Sequence, residues 1–233
     1  MAEPSKSERA RWARYGWAAL LVHLSAPAAA SPAQPVVWGF GDSLTAGYGL
    51  PPAQGFTARL QAALRRAGVA ATVRNGGVSG DTARQGRARL LWGLRGLGTP
   101  PDLVIVELGA NDMLRGLPPS QTEAELDRVL AELARRRIPV LLAGMRAAPN
   151  LGPEYRRAFE GIYPRLAAKY RVPLYPFFLD GAAGNRALTQ ADGLHPNARG
   201  VDAVVARLLP AVRSALARAR SPGGRTRGVG AGR

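Results

Sequence analysis

The chain has no cysteine, which excludes a disulfide framework, a thiolate zinc or iron–sulfur site, a cysteine nucleophile and a cysteine-linked lipid anchor. Histidine is nearly as scarce. His23 and His195 are the only two, which leaves little for a histidine-rich metal centre. No apolar run approaches the roughly 20 residues of a membrane-spanning helix, so no stable membrane insertion is expected. What is present suffices for a folded domain: 233 residues, 46% hydrophobic and 21% charged, fit one domain with appendages rather than a disordered chain.

The net charge of +16 is unevenly spread, with +2 in residues 1–30, +9 in 31–217 and +5 in 218–233. A basic surface can attract nucleic acid or an anionic membrane. Here 30 arginines stand against two lysines, Lys6 and Lys169, beside abundant alanine and glycine. That pattern reads as a compositional bias with a solvated basic surface, and no nucleic-acid partner is expected.

Residues 1–30 read as a signal peptide. Lys6, Arg9, Arg11 and Arg14 form a positive start, residues 15–24 a short apolar stretch broken by His23, and Ala28-Ala29-Ala30 fits an A-x-A cleavage site. The protein is then periplasmic or secreted once the leader is removed. The alternative is an additional amphipathic helix or an uncleaved tail. Residues 31–217 read as the folded domain. Residues 218–233 are basic and lack periodicity, and are expected to be a disordered tail.

Within the domain, strands alternate with helices. Residues 36–40, 69–74, 103–108, 139–143 and 172–178 are strand candidates, the last broken by Pro173 and Pro176, and Glu107 is the one polar residue in the clearest of them. Between them lie helical stripes. One is Phe56, Leu60, Leu64 and Ala67, stopped by Gly68; a second, Arg-rich helix starts near Thr82 with Leu90, Leu91 and Leu94 facing inwards. A third carries Leu126, Val129, Leu130 and Leu133, with Ser120 and Glu123 as a candidate capping box. Phe159, Ile162 and Leu166 mark a fourth. The last begins near Pro196 and includes Val201, Val204, Val205 and Leu208, with Pro210 as a kink or stop. This alternation predicts an α/β fold: a doubly wound parallel sheet of about five strands with helices on both faces.

In such sheets ligands sit outside the carboxyl ends of the strands. The strand exits here are Gly41-Asp42-Ser43-Leu44, Val78-Ser79-Gly80-Asp81-Thr82 and Gly109-Ala110-Asn111-Asp112, and beyond the fifth strand comes Asp192-Gly193-Leu194-His195-Pro196. A serine nucleophile needs an adjacent base. Once the leader is gone, His195 is the only histidine, and Asp192, three residues earlier, can orient it and stabilise its charged form. Ser43, Asp192 and His195 are therefore the candidate catalytic residues. A developing oxyanion needs donors, for which the Ser43 N–H, the Gly80 N–H and the Asn111 side-chain amide are candidates. Pro196, read as a helix start, would set His195 near a positive helix end. This chemistry requires no metal and no organic cofactor.

Taken singly, each signal has a structural reading. Gly-Asp-Ser can be a plain turn, Asn-Asp a loop, His195 a helix cap, and Asp192 a turn former. Asp42, Asp81 and Asp112 read as structural hydrogen-bond partners. It is the joint placement at strand ends that points to acyl transfer.

At these four blocks the sequence resembles the SGNH hydrolase superfamily of GDSL-type esterases, over nearly all of residues 35–210. Residues 41–50 and 192–197 look most like its bacterial thioesterase I, arylesterase and lysophospholipase L1-like branch. Residues 149–159 and Tyr175-Pro176-Phe177-Phe178 are similar to arylesterase-type members. The resemblance implies a flavodoxin-like fold and gives Ser43, Gly80, Asn111, Asp192 and His195 the roles assigned above. Thr45 stands where an α/β-hydrolase elbow would carry glycine, which separates the two families. The expected activity is hydrolysis of carboxylic esters and thioesters of small molecules, with lysophospholipids as one candidate class. A carbohydrate acetylesterase using the same residues is the alternative. A basic nucleic-acid- or membrane-binding module with an idle site is a more distant one. Leu50, Leu114, Leu117 and Leu151, in loops near the strand exits, read equally as acyl-contact surface or local packing.

Overall fold

A computed structural model of the chain describes residues 34–221. The expected leader and residues 222–233 of the expected tail lie outside them. Among the described residues, five parallel strands form one sheet: β1 (Val36–Gly41), β2 (Thr72–Gly77), β3 (Leu103–Glu107), β4 (Val140–Ala143) and β5 (Leu174–Tyr175). Their order is β2-β1-β3-β4-β5. Every residue of β3 and β4 is buried, as parallel strands covered on both faces should be. β2 and β5 are the edges. β5 shrinks to two residues because Pro173 and Pro176 bracket it, and proline cannot donate to a ladder.

Among the described residues, eight α-helices connect and cover the sheet: α1 (Ser43–Ala46), α2 (Phe56–Arg66), α3 (Ala83–Gly96), α4 (Ala110–Leu114), α5 (Pro119–Arg135), α6 (Pro153–Glu160), α7 (Ile162–Tyr170) and α8 (Ala198–Arg220). α2 packs on α8, while α3, α5 and α7 pack in sequence against one another. With the right-handed crossovers usual for parallel strands, α2 lies on one face and α3, α5 and α7 on the other, and α8 joins α2. The doubly wound α/β fold read from the sequence is the fold observed.

Several local expectations are corrected. The second strand starts at Thr72, not Val69, because the Val69 N–H closes back on Leu64 O across left-handed Gly68 and is spent ending α2. Leu91 faces solvent, while Leu90 and Gly86 fill the inner face of α3. Ser120 and Glu123 form no capping box: Pro118 caps α5, and Glu123 instead accepts from Arg165 of α7. The stripe at Phe159, Ile162 and Leu166 belongs to two helices meeting at Gly161. α8 runs through Pro210 to Arg220, so residues 218–220 are helical.

The core is apolar and closely filled, with Phe40, Ile105, Leu126 and Phe159 among its fully buried side chains. Ile105, in the central strand, has no exposed surface. Ile105→Ala should lower unfolding free energy by about 2–5 kcal/mol, since the cavity left there cannot collapse fully. A denaturant titration of the folded variant checks this.

Candidate active site

The strand order changes direction between β1 and β3, so the helices after these neighbours leave on opposite faces and open a crevice at their carboxyl ends. Ser43 lies just after β1 and opens the single turn α1. Asp42 caps that turn, its Oδ1 accepting from the Leu44 N–H at 3.0 Å. Gly47 ends it in a left-handed conformation, its N–H donating to Ser43 O.

His195 reaches this point from the far end of the domain. Residues 189–196 fold back on themselves: Gln190 N–H donates to His195 O at 2.8 Å, and Thr189 bridges Pro196 antiparallel. The Gln190 side-chain amide then donates to Tyr48 O at 2.8 Å and Pro196 O at 3.1 Å, tying the histidine loop to the serine loop. Helix α8 starts at Ala198 with Asn197 as its cap, so Pro196 does not begin the helix. His195 lies outside the first turn, and the expected help from a helix end gives way to this loop anchoring.

The geometry is a relay. Ser43 Oγ and His195 Nε2 are 2.8 Å apart, and His195 Nδ1 and Asp192 Oδ2 are 2.7 Å apart. Asp192 Oδ1 accepts from the backbone N–H groups of Leu194 and His195 at 2.9 and 3.0 Å. The bond to the His195 ring, followed by these two amides, holds the Asp192 carboxyl down at about 2. It is therefore ionised at neutral pH. Tyr48 packs on the open side of the imidazole, ring centroids 4.6 Å apart.

Asn111 lies in the first turn of α4 and joins two strand exits. Its Nδ2 donates to Asp42 Oδ2 and to Asp81 O, both at 3.0 Å. Both amide hydrogens are thus engaged, and an oxyanion would have to share or take over one of these bonds. Gly80, next to Asp81, has φ +86°, where a Cβ is strained, and its carbonyl accepts from Arg115 at 2.8 Å. Asp42 is buried, and burial pushes its carboxyl up to about 6 against the pull of the Leu44 amide. Asp81 and Asp112 also serve the scaffold. Asp112 accepts from the Ala83 N–H at the start of α3 and from Thr122.

Three residues at the site were not singled out by the motif blocks. Arg89, on the inner face of α3, pairs with Asp81, donates to Gly76 O and Gly41 O, and lies over the Phe40 ring. It fastens the exits of β1 and β2 together, and an arginine on the buried side of a helix was the available signal. Tyr48 and Glu107 are the others. The leucine question divides: Leu50 and Leu151 pack partly against the core, whereas Leu114 is mostly exposed. Among the described residues, no group of three or more His, Cys, Asp or Glu is placed to hold a metal ion, and no helix is long and apolar enough to cross a membrane.

A hydroxyl, an imidazole and a carboxylate in line at the carboxyl edge of a parallel sheet are the arrangement that serine hydrolases use. A sequence profile of the GDSL-like Lipase/Acylhydrolase family matches residues 40–203, and the chain belongs to that family. Esterase TesA of Pseudomonas aeruginosa is 42% identical over 156 residues, 67% of this chain and 77% of that one. Thioesterase 1/protease 1/lysophospholipase L1 of Escherichia coli K12 is 40% identical over 157 residues, 67% of this chain and 73% of that one. The crystal structure of AlinE4, an SGNH-hydrolase family esterase, superposes with a TM-score of 0.68 at 49% identity, covering 80% of this chain and 98% of that one. The resemblance drawn from the four motif blocks holds, and the protein is a serine ester hydrolase.

Proposed function

We propose that the protein hydrolyses carboxylic esters and acyl thioesters through an acyl-enzyme on Ser43. His195 takes the proton from Ser43 Oγ as it attacks the carbonyl, then returns it to the leaving alkoxide or thiolate. Asp192 holds the imidazole in the tautomer with Nδ1 protonated and stabilises the imidazolium. The Ser43 and Gly80 N–H groups and the Asn111 amide receive the oxyanion. Water, activated by His195, then releases the acid. The observation that carries this reading is the 2.8 Å contact between Ser43 Oγ and His195 Nε2, backed by Asp192.

The apolar surroundings favour an acyl or aryl substrate over a sugar acetate. Tyr48, Val78, Leu114 and Leu194 are exposed and flank Ser43, Gly80, Asn111 and His195 in sequence. Thioester turnover is proposed because the Escherichia coli relative bears that activity in its name, and lysophospholipids enter as candidates on the same ground. Residues 1–30 are proposed to export the protein. Sequencing the N-terminus of the mature protein tests this, with cleavage after Ala30 expected.

The functional test is hydrolysis of p-nitrophenyl acetate, octanoate and palmitate, an acyl thioester and a peracetylated sugar. Turnover of the aryl and thio esters is expected. Turnover confined to the sugar acetate would replace the proposal with a carbohydrate acetylesterase. Asn111→Ala should lower kcat by roughly 10²–10³ with little change in KM. An equal loss carried by KM alone would remove Asn111 from the oxyanion role.

A further inference from the structure

Beneath the Ser43 turn lies an acid to which ester hydrolysis assigns no part. Glu107, the last residue of β3, stands beside Gly41 in the sheet register and has no exposed surface. Its Oε2 accepts from the Thr45 hydroxyl at 2.7 Å and from the Asp42 N–H at 3.3 Å. Its Oε1 has no partner among the described residues. None of its hydrogen-bond partners is a basic side chain.

An acid buried in this way is costly, and an apolar residue would fill an otherwise apolar strand without that cost. The contacts show what the acid does in return. Asp42 and Thr45 lie on either side of Ser43, so one oxygen holds both ends of the segment that carries the hydroxyl. The bracing extends further through Asp42, whose carboxyl accepts from the Leu44 N–H and from Asn111. Packing here is tight enough that a Cβ on Gly41 would overlap both Thr45 Oγ1 and Glu107 Oε2. Gly41, Thr45 and Glu107 thus form one interlocked support under the serine.

We propose that Glu107 is a positioning residue for Ser43, bracing the turn on both sides through Oε2 so that the hydroxyl stays aimed at His195; this rests on the reading of Ser43 as the nucleophile. Its surroundings favour the uncharged acid. Burial first, then the neighbouring Asp42 carboxyl, push its pKa well above the ordinary carboxylate range, outweighing the Thr45 hydroxyl and the two backbone amides. The titratable groups coupled to it are Asp42 from the β1 exit and Tyr163 from α7. Tyr163 is itself pushed up, chiefly by burial. Neither supplies a positive charge; of the basic groups nearby, Arg89 of α3 is spent on Gly41 O, Gly76 O and Asp81, and His195 acts on Asp42. A carboxyl raised in the folded state contributes most below its unfolded pKa, and that contribution is lost as pH rises through the folded one. A rise of pH through that folded value should therefore loosen the turn in the parent but not in a glutamine variant.

The test compares the parent, Glu107→Gln, Glu107→Leu and Ser43→Ala on one p-nitrophenyl ester, with thermal melts across pH. Glutamine keeps the acceptor and the neutral state, so kcat at neutral pH should stay within roughly threefold of the parent. Its activity and melting temperature should lack the loss that the parent shows as pH rises through the folded value of Glu107. Leucine removes the acceptor, and kcat should fall about 10- to 100-fold with KM unchanged, as a misaimed nucleophile costs rate and not binding. Should Glu107→Leu fail to fold, Thr45→Val takes its place, removing only the hydroxyl that Oε2 holds, with the same split expected. Parental kcat in the folded leucine or valine variant overturns the proposal, as does a glutamine variant as impaired as leucine. Turnover retained by Ser43→Ala overturns the nucleophile reading and this inference with it. Turnover lost there but parental in Glu107→Leu overturns this inference alone.

Discussion

Ser43→Ala is expected to leave a folded protein that no longer turns over esters, with kcat reduced by roughly 10⁴–10⁶-fold. The size follows from what remains. The variant keeps the proposed donors Gly80 and Asn111, with His195 and Asp192, but has no hydroxyl to form the proposed acyl-enzyme, so only the slower direct attack of water is left. The fold should hardly register the change. The turn is fixed by Asp42 capping Leu44 and by Thr45 bonding to Glu107, and neither bond uses the serine hydroxyl. Initial rates on p-nitrophenyl octanoate beside a thermal melt check both halves. A melt unchanged and a rate within tenfold of the parent would remove Ser43 from the chemistry.

Asp192→Asn should be nearly as damaging, with kcat lower by roughly 10³–10⁴-fold and KM little changed. The reason is the direction of one hydrogen bond. Asp192 Oδ1 is already committed to the Leu194 and His195 N–H groups, so an asparagine keeps its oxygen there. Its amide nitrogen then faces His195 Nδ1 across the 2.7 Å now spanned by Oδ2. Nδ1 has to accept, the ring proton moves to Nε2, and Nε2 can no longer take the Ser43 proton. Asp192→Ala frees the ring without imposing the wrong tautomer, so alanine should be no worse than asparagine. An asparagine variant markedly more active than alanine would contradict the tautomer argument.

The same carboxylate gives a pH expectation. Its folded pKa is lowered from 3.8 to about 2, so its favourable contribution is present above the unfolded value and lost as pH falls through the folded one. Activity lost on acidification above pH 4 therefore does not come from Asp192 titrating. Asp192→Asn should leave the shape of that acid limb of thermal stability unchanged over the same range.

The strand exits were legible because chemistry and topology speak in short local strings. Gly41-Asp42-Ser43-Leu44 and Asp192-Gly193-Leu194-His195 each follow or close a readable element, and each brings its residue to one crevice. β3 and β4 were legible for a related reason: buried on both faces, they are apolar but for Glu107. β2 was misplaced by three residues because Val69 closes α2 through a bond to Leu64 O, and apolar content alone cannot tell a helix-closing residue from the first residue of a strand. The break at Gly161 was hidden because α6 and α7 share one apolar stripe. The supports of the site were the least visible. Arg89 reaches Asp81, Gly76 and Gly41 across the fold, and Gln190 reaches back to Tyr48 O over 142 positions. Such contacts depend on tertiary placement and leave no local pattern. Glu107 left one, a single acid in an apolar strand, but only the structure shows the serine turn resting on it.

The central claim is a covalent intermediate on Ser43, and the most direct measurement is intact-mass and peptide mapping after treatment with a fluorophosphonate. The account predicts one adduct per chain, carried by the peptide containing Ser43, absent in Ser43→Ala and formed far more slowly in Asp192→Asn. A folded, ester-hydrolysing protein that takes no adduct, or takes it on another residue, would contradict it.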